Sequence, residues 1–215
     1  MKLFSDRTEA GNLLALKLRG YTSEPCMIMA IPRGGVPVAA AVARDAEQPL
    51  YLMLARKIGH PDNPEYAIGA VTLEDHVLLN EQGVSPGYIE NELIRVRKRL
   101  LEMKRLFSVD WPPGLMRGKT VILIDDGIAT GNTLMATIRM IRKYFPRRII
   151  VAVPVASARS VYDLSAIADD LVVLEVPEFF SSVGAAYEQF GQVSDQEVAD
   201  ELNRLHISGR MPLAK

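Results

Sequence analysis

Five short runs of the chain are apolar at nearly every position, at residues 27–31, 50–55, 121–124, 149–155 and 171–176. A strand with one wet face alternates in polarity, so unbroken apolar runs belong to strands covered on both faces. Helical patterns fill most of the gaps, at residues 36–46, 132–144 and 156–168. Strand–helix alternation implies parallel strands joined by right-handed crossovers. The expected class is therefore α/β, a mainly parallel central sheet flanked by helices. Residues 56–80 leave that rhythm and read as loop plus a short hairpin, and residues 86–107 read as one long helix. In that helix Leu93, Val96, Leu100, Met103 and Phe107 form one apolar stripe, with Ser85 and Pro86 suited to its cap and first turn. Asp6 with Glu9 and Ser194 with Glu197 have the spacing of capping boxes, opening helices over about residues 6–18 and 195–205. The Trp111-Pro112-Pro113-Gly114 stretch reads as the clearest linker.

Composition narrows the function classes. At 215 residues the chain suits one domain, and 48% apolar content supplies a core without disulfides or a structural metal. Twenty-five basic and 26 acidic side chains give a net charge of -1, too little global field to hold a nucleic-acid backbone or an anionic membrane, so any anion site must be local. The long helix carries Arg95, Arg97, Lys98, Arg99, Lys104 and Arg105. Glu90 and Glu92 near its start and these bases toward its end match the helix dipole, which favours a solvated face over a nucleic-acid stripe. A single cysteine, Cys26, excludes an internal disulfide and suits a reducing cytoplasm, and no apolar run reaches the length of a membrane span. Cys26 lies in an apolar run and reads as a small buried hydrophobe. His60, His76 and His206 have no ligand spacing, so no dedicated zinc site is expected.

The chemistry concentrates in residues 121–133, VILIDDGIATGNT: a buried strand, two acids, then a small-residue turn entering a helix. Ligands of open parallel sheets bind beyond the carboxyl ends of the strands, where Asp125 and Asp126 emerge. From Gly127 through Ile128, Ala129, Thr130, Gly131 and Asn132 to Thr133, backbone N–H groups can close around an oxyanion at the positive end of the helix. Paired carboxylates beside a phosphate cradle make sense if they receive neutral donors, as a ribose diol provides. One element would then grip a ribose 5-phosphate at both ends, and the acids would stabilise positive charge on the sugar ring. A nucleotide P-loop needs a lysine that this turn lacks, and Gly127 and Gly131 do not make a dinucleotide-binding GxGxxG. A phosphoacceptor acid pair would not call for the Thr- and Gly-rich turn. The bland reading, a helix cap with a buried salt bridge, leaves two adjacent acids costly and without purpose.

This segment resembles the signature of the type I phosphoribosyltransferases: an apolar strand, two acids, two further residues, a small or hydroxyl residue, Thr, Gly and a hydroxyl. It departs at Gly127, where a larger apolar residue is common, and at Ala129, where Thr or Ser often stands. Neither change removes a backbone donor. The resemblance implies a core over about residues 20–180, a flexible loop, hairpin and helix over 56–112, and a C-terminal hood over 177–215. It implies transfer of a 5-phosphoribosyl group from phosphoribosyl pyrophosphate to a nitrogen acceptor, a base or amine, with Mg2+ carried mainly by the donor, in a homodimer. The alternative is a regulator that binds the donor without transfer; no helix-turn-helix appendage or basic tail is evident to serve it.

Pro32-Arg33-Gly34-Gly35-Val36-Pro37 forms a second small-residue turn from strand to helix. By resemblance it is the pyrophosphate loop, Arg33 and the amides of Gly34 and Gly35 meeting the leaving group. Arg56 and Lys57 follow another strand, where their charges could neutralise departing pyrophosphate, with residues 59–64 as a mobile cover. Together with PRGGVP this segment resembles a subgroup of bacterial phosphoribosyltransferases with undefined acceptors. Phe179 and Phe180 follow the last strand, and the resemblance makes them one wall of the acceptor pocket, with core packing as the rival reading. Tyr187 and Phe190 read as the packing face of a short helix.

Overall fold

All five apolar runs become strands of one sheet. The computed structural model describes residues 2–79, 81–109 and 113–207, so Asn80, Trp111, Pro112 and residues 208–215 of the expected linker and hood lie outside the described residues. In chain order the elements are α1 (Arg7–Thr22), β1 (Cys26–Ala30), α2 (Gly35–Ala46), β2 (Leu50–Leu52), β3 (Arg56–His60), β4 (Asn63–Val71), β5 (His76–Leu78), α3 (Pro86–Leu106), β6 (Thr120–Ile124), α4 (Asn132–Arg142), β7 (Arg148–Val155), α5 (Ala158–Ser165), β8 (Asp170–Glu175) and α6 (Asp195–Ile207). The main sheet has the order β2-β1-β6-β7-β8, and every pairing in it is parallel. This is the α/β architecture that the alternation implies.

Strand periodicity divides the core into two layers. Ile28, Ala30, Ile122, Ile124, Ile150 and Ala152 pack with Leu14 and Leu18 of α1, Val38 and Val42 of α2 and Leu202 of α6. Their neighbours Met27, Met29, Val121, Leu123, Val151 and Val153 pack with Leu134, Ile138 and Ile141 of α4 and Leu164 of α5. Cys26 is buried, and burial pushes its thiol up to about 11, consistent with a packing role. Among the described residues no helix is long and apolar enough to cross a membrane.

Caps set the helix ends. Asp6 accepts from the amides of Thr8 and Glu9, while Glu9 reaches back to the Ser5 amide, one residue earlier than a strict box. Ser194 and Glu197 exchange both bonds of a capping box. The third helical pattern is shorter than its 156–168 periodicity suggests. Ala156 still donates to Glu175 of the sheet, and Ser157 caps the Ser160 amide, so α5 starts only at Ala158.

The largest difference from expectation is residues 56–78, which form a three-stranded antiparallel sheet, β3-β4-β5. Lys57 pairs with Ala70, Ile58 with Gly69, and His60 with Asn63 across a tight turn, so the expected cover at 59–64 is the tip of a hairpin. Each strand alone is a weak signal, since RKIGH holds one aliphatic side chain. Packing of this sheet against α3 and α4 supplies the cover that local sequence does not advertise.

Helix α1 lies on α2 at Gly11, where an added Cβ would stand 2.6 Å from the Val38 carbonyl oxygen and 2.8 Å from the Ala41 Cβ. At Gly20 of the same helix nothing lies within 4 Å. Urea denaturation should therefore separate two chemically identical changes. Gly20→Ala gains up to about 1 kcal/mol from helix propensity. Gly11→Ala loses about 1–2 kcal/mol, because overpacking outweighs that gain. Equal shifts for the two variants would remove the close α1–α2 approach as an explanation.

Candidate active site

Strands β1 and β6 are neighbours, so the loops leaving their carboxyl ends emerge side by side. The Ile31 amide donates to the Ile124 carbonyl at 2.9 Å, which carries the pairing up to the first loop residues. A Cβ on Gly34 would lie 2.1 Å from Asp126 Oδ2, and one on Gly35 would lie 2.7 Å from the Ile124 carbonyl oxygen and 2.9 Å from the Asp125 Cα. The two glycines are thus what lets the PRGG turn lie directly on the acid pair. The Pro32–Arg33 peptide is cis.

Asp125 sits deepest. Its Oδ1 accepts from the Asp126 amide at 2.9 Å, and burial, then the neighbouring Asp126, push its carboxyl well above the usual carboxylate range. Burial also raises Asp126, but here Arg7 opposes the rise. Arg7 Nε donates to Asp126 Oδ2 at 2.8 Å, with the two side chains only 11% and 15% exposed. The Tyr187 hydroxyl donates to the Asp126 carbonyl at 2.6 Å, and burial raises that phenol.

The turn after Asp126 is pinned from one side. Ile128 donates to the Val155 carbonyl at 2.9 Å and accepts from the Ser157 amide at 3.0 Å, and Ser157 Oγ donates to the Ala129 carbonyl at 2.7 Å. Gly131 holds φ of 72°, the left-handed region that costs glycine little, and α4 begins at the next residue. The amides of Ala129, Thr130, Gly131, Asn132 and Thr133 meet no acceptor among the described residues. Five donors without a protein acceptor at the positive end of an eleven-residue helix are available to an oxyanion.

Beside this turn opens a cleft of about 790 Å³ lined by Asp126, Thr133, Arg33, Gly34, Arg56, Lys57, Arg99 and Arg7. Arg99 Nη2 meets Asp195 Oδ2 at 2.9 Å, and Arg33 Nη1 stands 3.7 Å from Asp195 Oδ1. Burial and the charges of Arg99 and Arg33 hold the Arg56 guanidinium below its usual range. Arg33, Arg56, Lys57 and Arg99 all line the cleft, two of them at Asp195, which makes it receptive to a polyanion.

Most residues singled out in the sequence converge here, with differences of detail. Arg33, Gly34, Arg56, Lys57, Asp126 and Thr133 line the cleft, while Gly35 and Asp125 lie just behind it. Arg56 and Lys57 open an antiparallel strand of the second sheet instead of ending a strand of the first. Gly127 packs against Val155 and Val183. Ile128 needs correction as a donor, since its amide is spent on Val155 and its side chain is core. The acceptor wall expected at Phe179 and Phe180 stands apart from this cleft. Phe179 is 88% exposed, and both rings border a different cavity of about 300 Å³ with Leu3, Val155 and Ser182. The aromatic that reaches the cleft is Phe190, stacked on Tyr187 at 5.0 Å in extended chain, not on a helix.

Sequence reasoning misses three residues. Arg99 reads as part of a solvated face, and while still half-exposed it bonds Asp195 and lines the cleft. Phe190 leaves no signal beyond its aromatic character. Arg7 leaves one: a base in the first turn of a helix opposes the dipole there.

Residues 8–188 match the family model described as Phosphoribosyl transferase domain. Over 211 residues the chain is 35% identical to the Mycobacterium tuberculosis protein Rv0571c, whose name assigns it provisionally as a phosphoribosyl transferase. That alignment covers 96% of this chain and 48% of the other, so the chain spans about half the length of the curated relatives it matches. The crystal structure of TT1426 from Thermus thermophilus superposes with a TM-score of 0.81 at 39% identity, covering 95% of this chain and 99% of that one. A Neisseria gonorrhoeae protein crystallised with bound ppGpp shares the fold at 16% identity and a TM-score of 0.50, over 98% of each chain.

Proposed function

The chain belongs to the phosphoribosyl transferase domain family, and on that premise we propose that it transfers a 5-phosphoribosyl group from Mg2+–phosphoribosyl pyrophosphate to a nitrogen acceptor and releases pyrophosphate. The observation that carries this reading is the contact between two loops on adjacent strands. The acid pair Asp125–Asp126 lies against Gly34 and Gly35, and Asp126 shares one cleft with Thr133 at the start of α4 and with Arg33, Arg56, Lys57 and Arg99. A ribose ester bearing phosphate at one end and pyrophosphate at the other offers a partner to each of these groups.

In this reading the amides of residues 129–133, with the hydroxyls of Thr130 and Thr133, hold the 5-phosphate. Asp126 and Asp125 receive the ribose hydroxyls. Arg33, Arg56, Lys57 and Arg99 hold the pyrophosphate. The acceptor nitrogen bonds to the anomeric carbon while the carbon–oxygen bond to pyrophosphate breaks, the bonding pair leaving with pyrophosphate and the nitrogen's proton passing to solvent or a base. Positive charge on the ring faces the carboxylates and negative charge on the leaving group faces the cations, so both developing charges meet fixed opposite groups. Among the described residues no group of three or more acids, histidines or cysteines could hold a metal ion. Magnesium would enter with the donor, keeping most of its ligands on phosphate and water and offsetting part of the leaving group's charge. Phe190 replaces Phe179 and Phe180 as the aromatic beside the acceptor.

A pyrophosphate-release screen with the donor against purines, pyrimidines, orotate and small amines tests the proposal. Mg2+-dependent release with one acceptor class is the expected result. Donor binding without release for any acceptor would instead favour a regulator, and absence of donor binding would sink the reading altogether.

A further inference from the structure

We propose that Arg7 is a positioning residue for this site: by pinning one oxygen of Asp126 and supplying its counter-charge, it presents the other oxygen to a ligand hydroxyl. The inference rests on the donor-site reading above and adds to it a residue from outside the two loops.

Helix stability does not account for Arg7. It is the first residue of α1 after the Asp6 cap, where the dipole disfavours a cation. Its side chain instead leans into the cleft and is held there by three contacts. Nε donates to Asp126 Oδ2 at 2.8 Å, Nη1 donates to the Gly191 carbonyl at 2.9 Å, and Cζ lies 3.9 Å from the Phe190 ring centroid. Phe190 stacks on Tyr187, whose hydroxyl bonds the Asp126 carbonyl, so the four residues close a ring around the carboxylate. Gly34 covers Oδ2 from the first loop.

Titratable and charged groups bear on Asp126 from several elements. Asp125 comes from the same turn and Tyr187 from the chain after Ala186, and Gly34 of the first loop carries no charge. Arg33, Arg56, Lys57 and Arg99 line the same cleft, but the cation bonded to the Asp126 carboxyl and opposing its rise is Arg7, whose charge also reaches Glu197 at the start of α6. Burial favours a protonated Asp126, and with Oδ2 taken by Arg7 the proton would sit on the oxygen left for the ligand, turning that acceptor into a donor. Arg7 works against that protonation, so the range of pH over which the donor binds depends on it.

The sign follows directly. Removing the positive charge raises the pH at which Asp126 loses its proton, and donor binding then fails earlier as the pH falls. In calorimetric titrations of Mg2+–phosphoribosyl pyrophosphate, Arg7→Gln should move the acid midpoint of binding upward by about one pH unit. Arg7→Lys, which keeps the charge but gives up the planar contact with Phe190, should stay near the wild-type midpoint. In an Asp126→Asn background, Arg7→Gln should add no further loss. An unmoved midpoint in Arg7→Gln, or a further loss in the Asn background, overturns the proposal. If Arg7→Gln does not fold, Arg7→Lys decides alone, since a lysine midpoint shifted as far as about one unit would show that charge is not what matters. Carboxyl 13C titration of Asp126 in wild type and Arg7→Gln gives the same comparison without donor: an upward shift supports the role and no shift overturns it. Wild-type protein that binds no donor at any pH refutes the proposed function, while the 13C comparison still judges Arg7.

Discussion

Asparagine at both Asp125 and Asp126 is expected to lower the affinity for Mg2+–phosphoribosyl pyrophosphate by about a hundredfold to ten-thousandfold. At each position an amide NH2 is put where a ribose hydroxyl would donate, and the mismatched buried donor at about 1.5–3 kcal/mol each sets that range. Asparagine keeps the size of each side chain and an oxygen in place, so the change isolates charge from shape. Stability should move little, because two effects oppose. Losing Asp126 leaves Arg7 buried without its partner, while losing Asp125 relieves a carboxyl that burial and its neighbour already disfavour in charged form. Calorimetry against the donor and urea denaturation of the same sample make the check, and wild-type affinity in the double variant would dismantle the site assignment.

Gly34→Ala should be nearly as damaging to donor binding although it adds one methyl group. The backbone at Gly34 has φ −58° and ψ −37°, a conformation that alanine adopts freely, so no dihedral strain enters. The new Cβ would stand 2.1 Å from Asp126 Oδ2. Ordinary contact requires about 3.5 Å or more, so either the carboxylate leaves Arg7 or the PRGG turn lifts off the acid pair. Either movement separates the parts that must grip one molecule, and a misplacement of about 1 Å costs on the order of a hundredfold. Gly87→Ala in α3, with nothing within 4 Å, is the matched control and should bind donor normally. Normal turnover in Gly34→Ala would mean that the contact between the loops is not used.

The strands at Val121–Ile124 and Met27–Ala30 are legible in the chain because every position is apolar and therefore buried on both faces. That Asp125, Asp126 and the turn to Thr133 stand at the carboxyl edge of the sheet is legible for the same reason. Beyond that, pattern reading loses its grip on segments whose partners are distant in sequence. Residues 56–78 pair mainly with one another, but they owe their cover to α3 and α4, and no local periodicity reports that. Arg99 looks solvated because one helix turn cannot show that Asp195, 96 residues away, lies opposite. Phe179 and Phe190 are equally aromatic, and only the path of the chain after β8 decides which one meets the cleft.

What the amino-acid order determined by itself is the layered α/β arrangement and the acid–glycine–hydroxyl turn, because apolar periodicity and turn chemistry act over a few neighbouring residues. What the tertiary structure alone decided is the company those acids keep. Arg7 lies 119 residues from Asp126 along the chain and 2.8 Å from it in space. Contacts of that kind arise from how helices dock on a sheet, and charge at a buried carboxylate depends on every group so delivered, which no local stretch of sequence encodes.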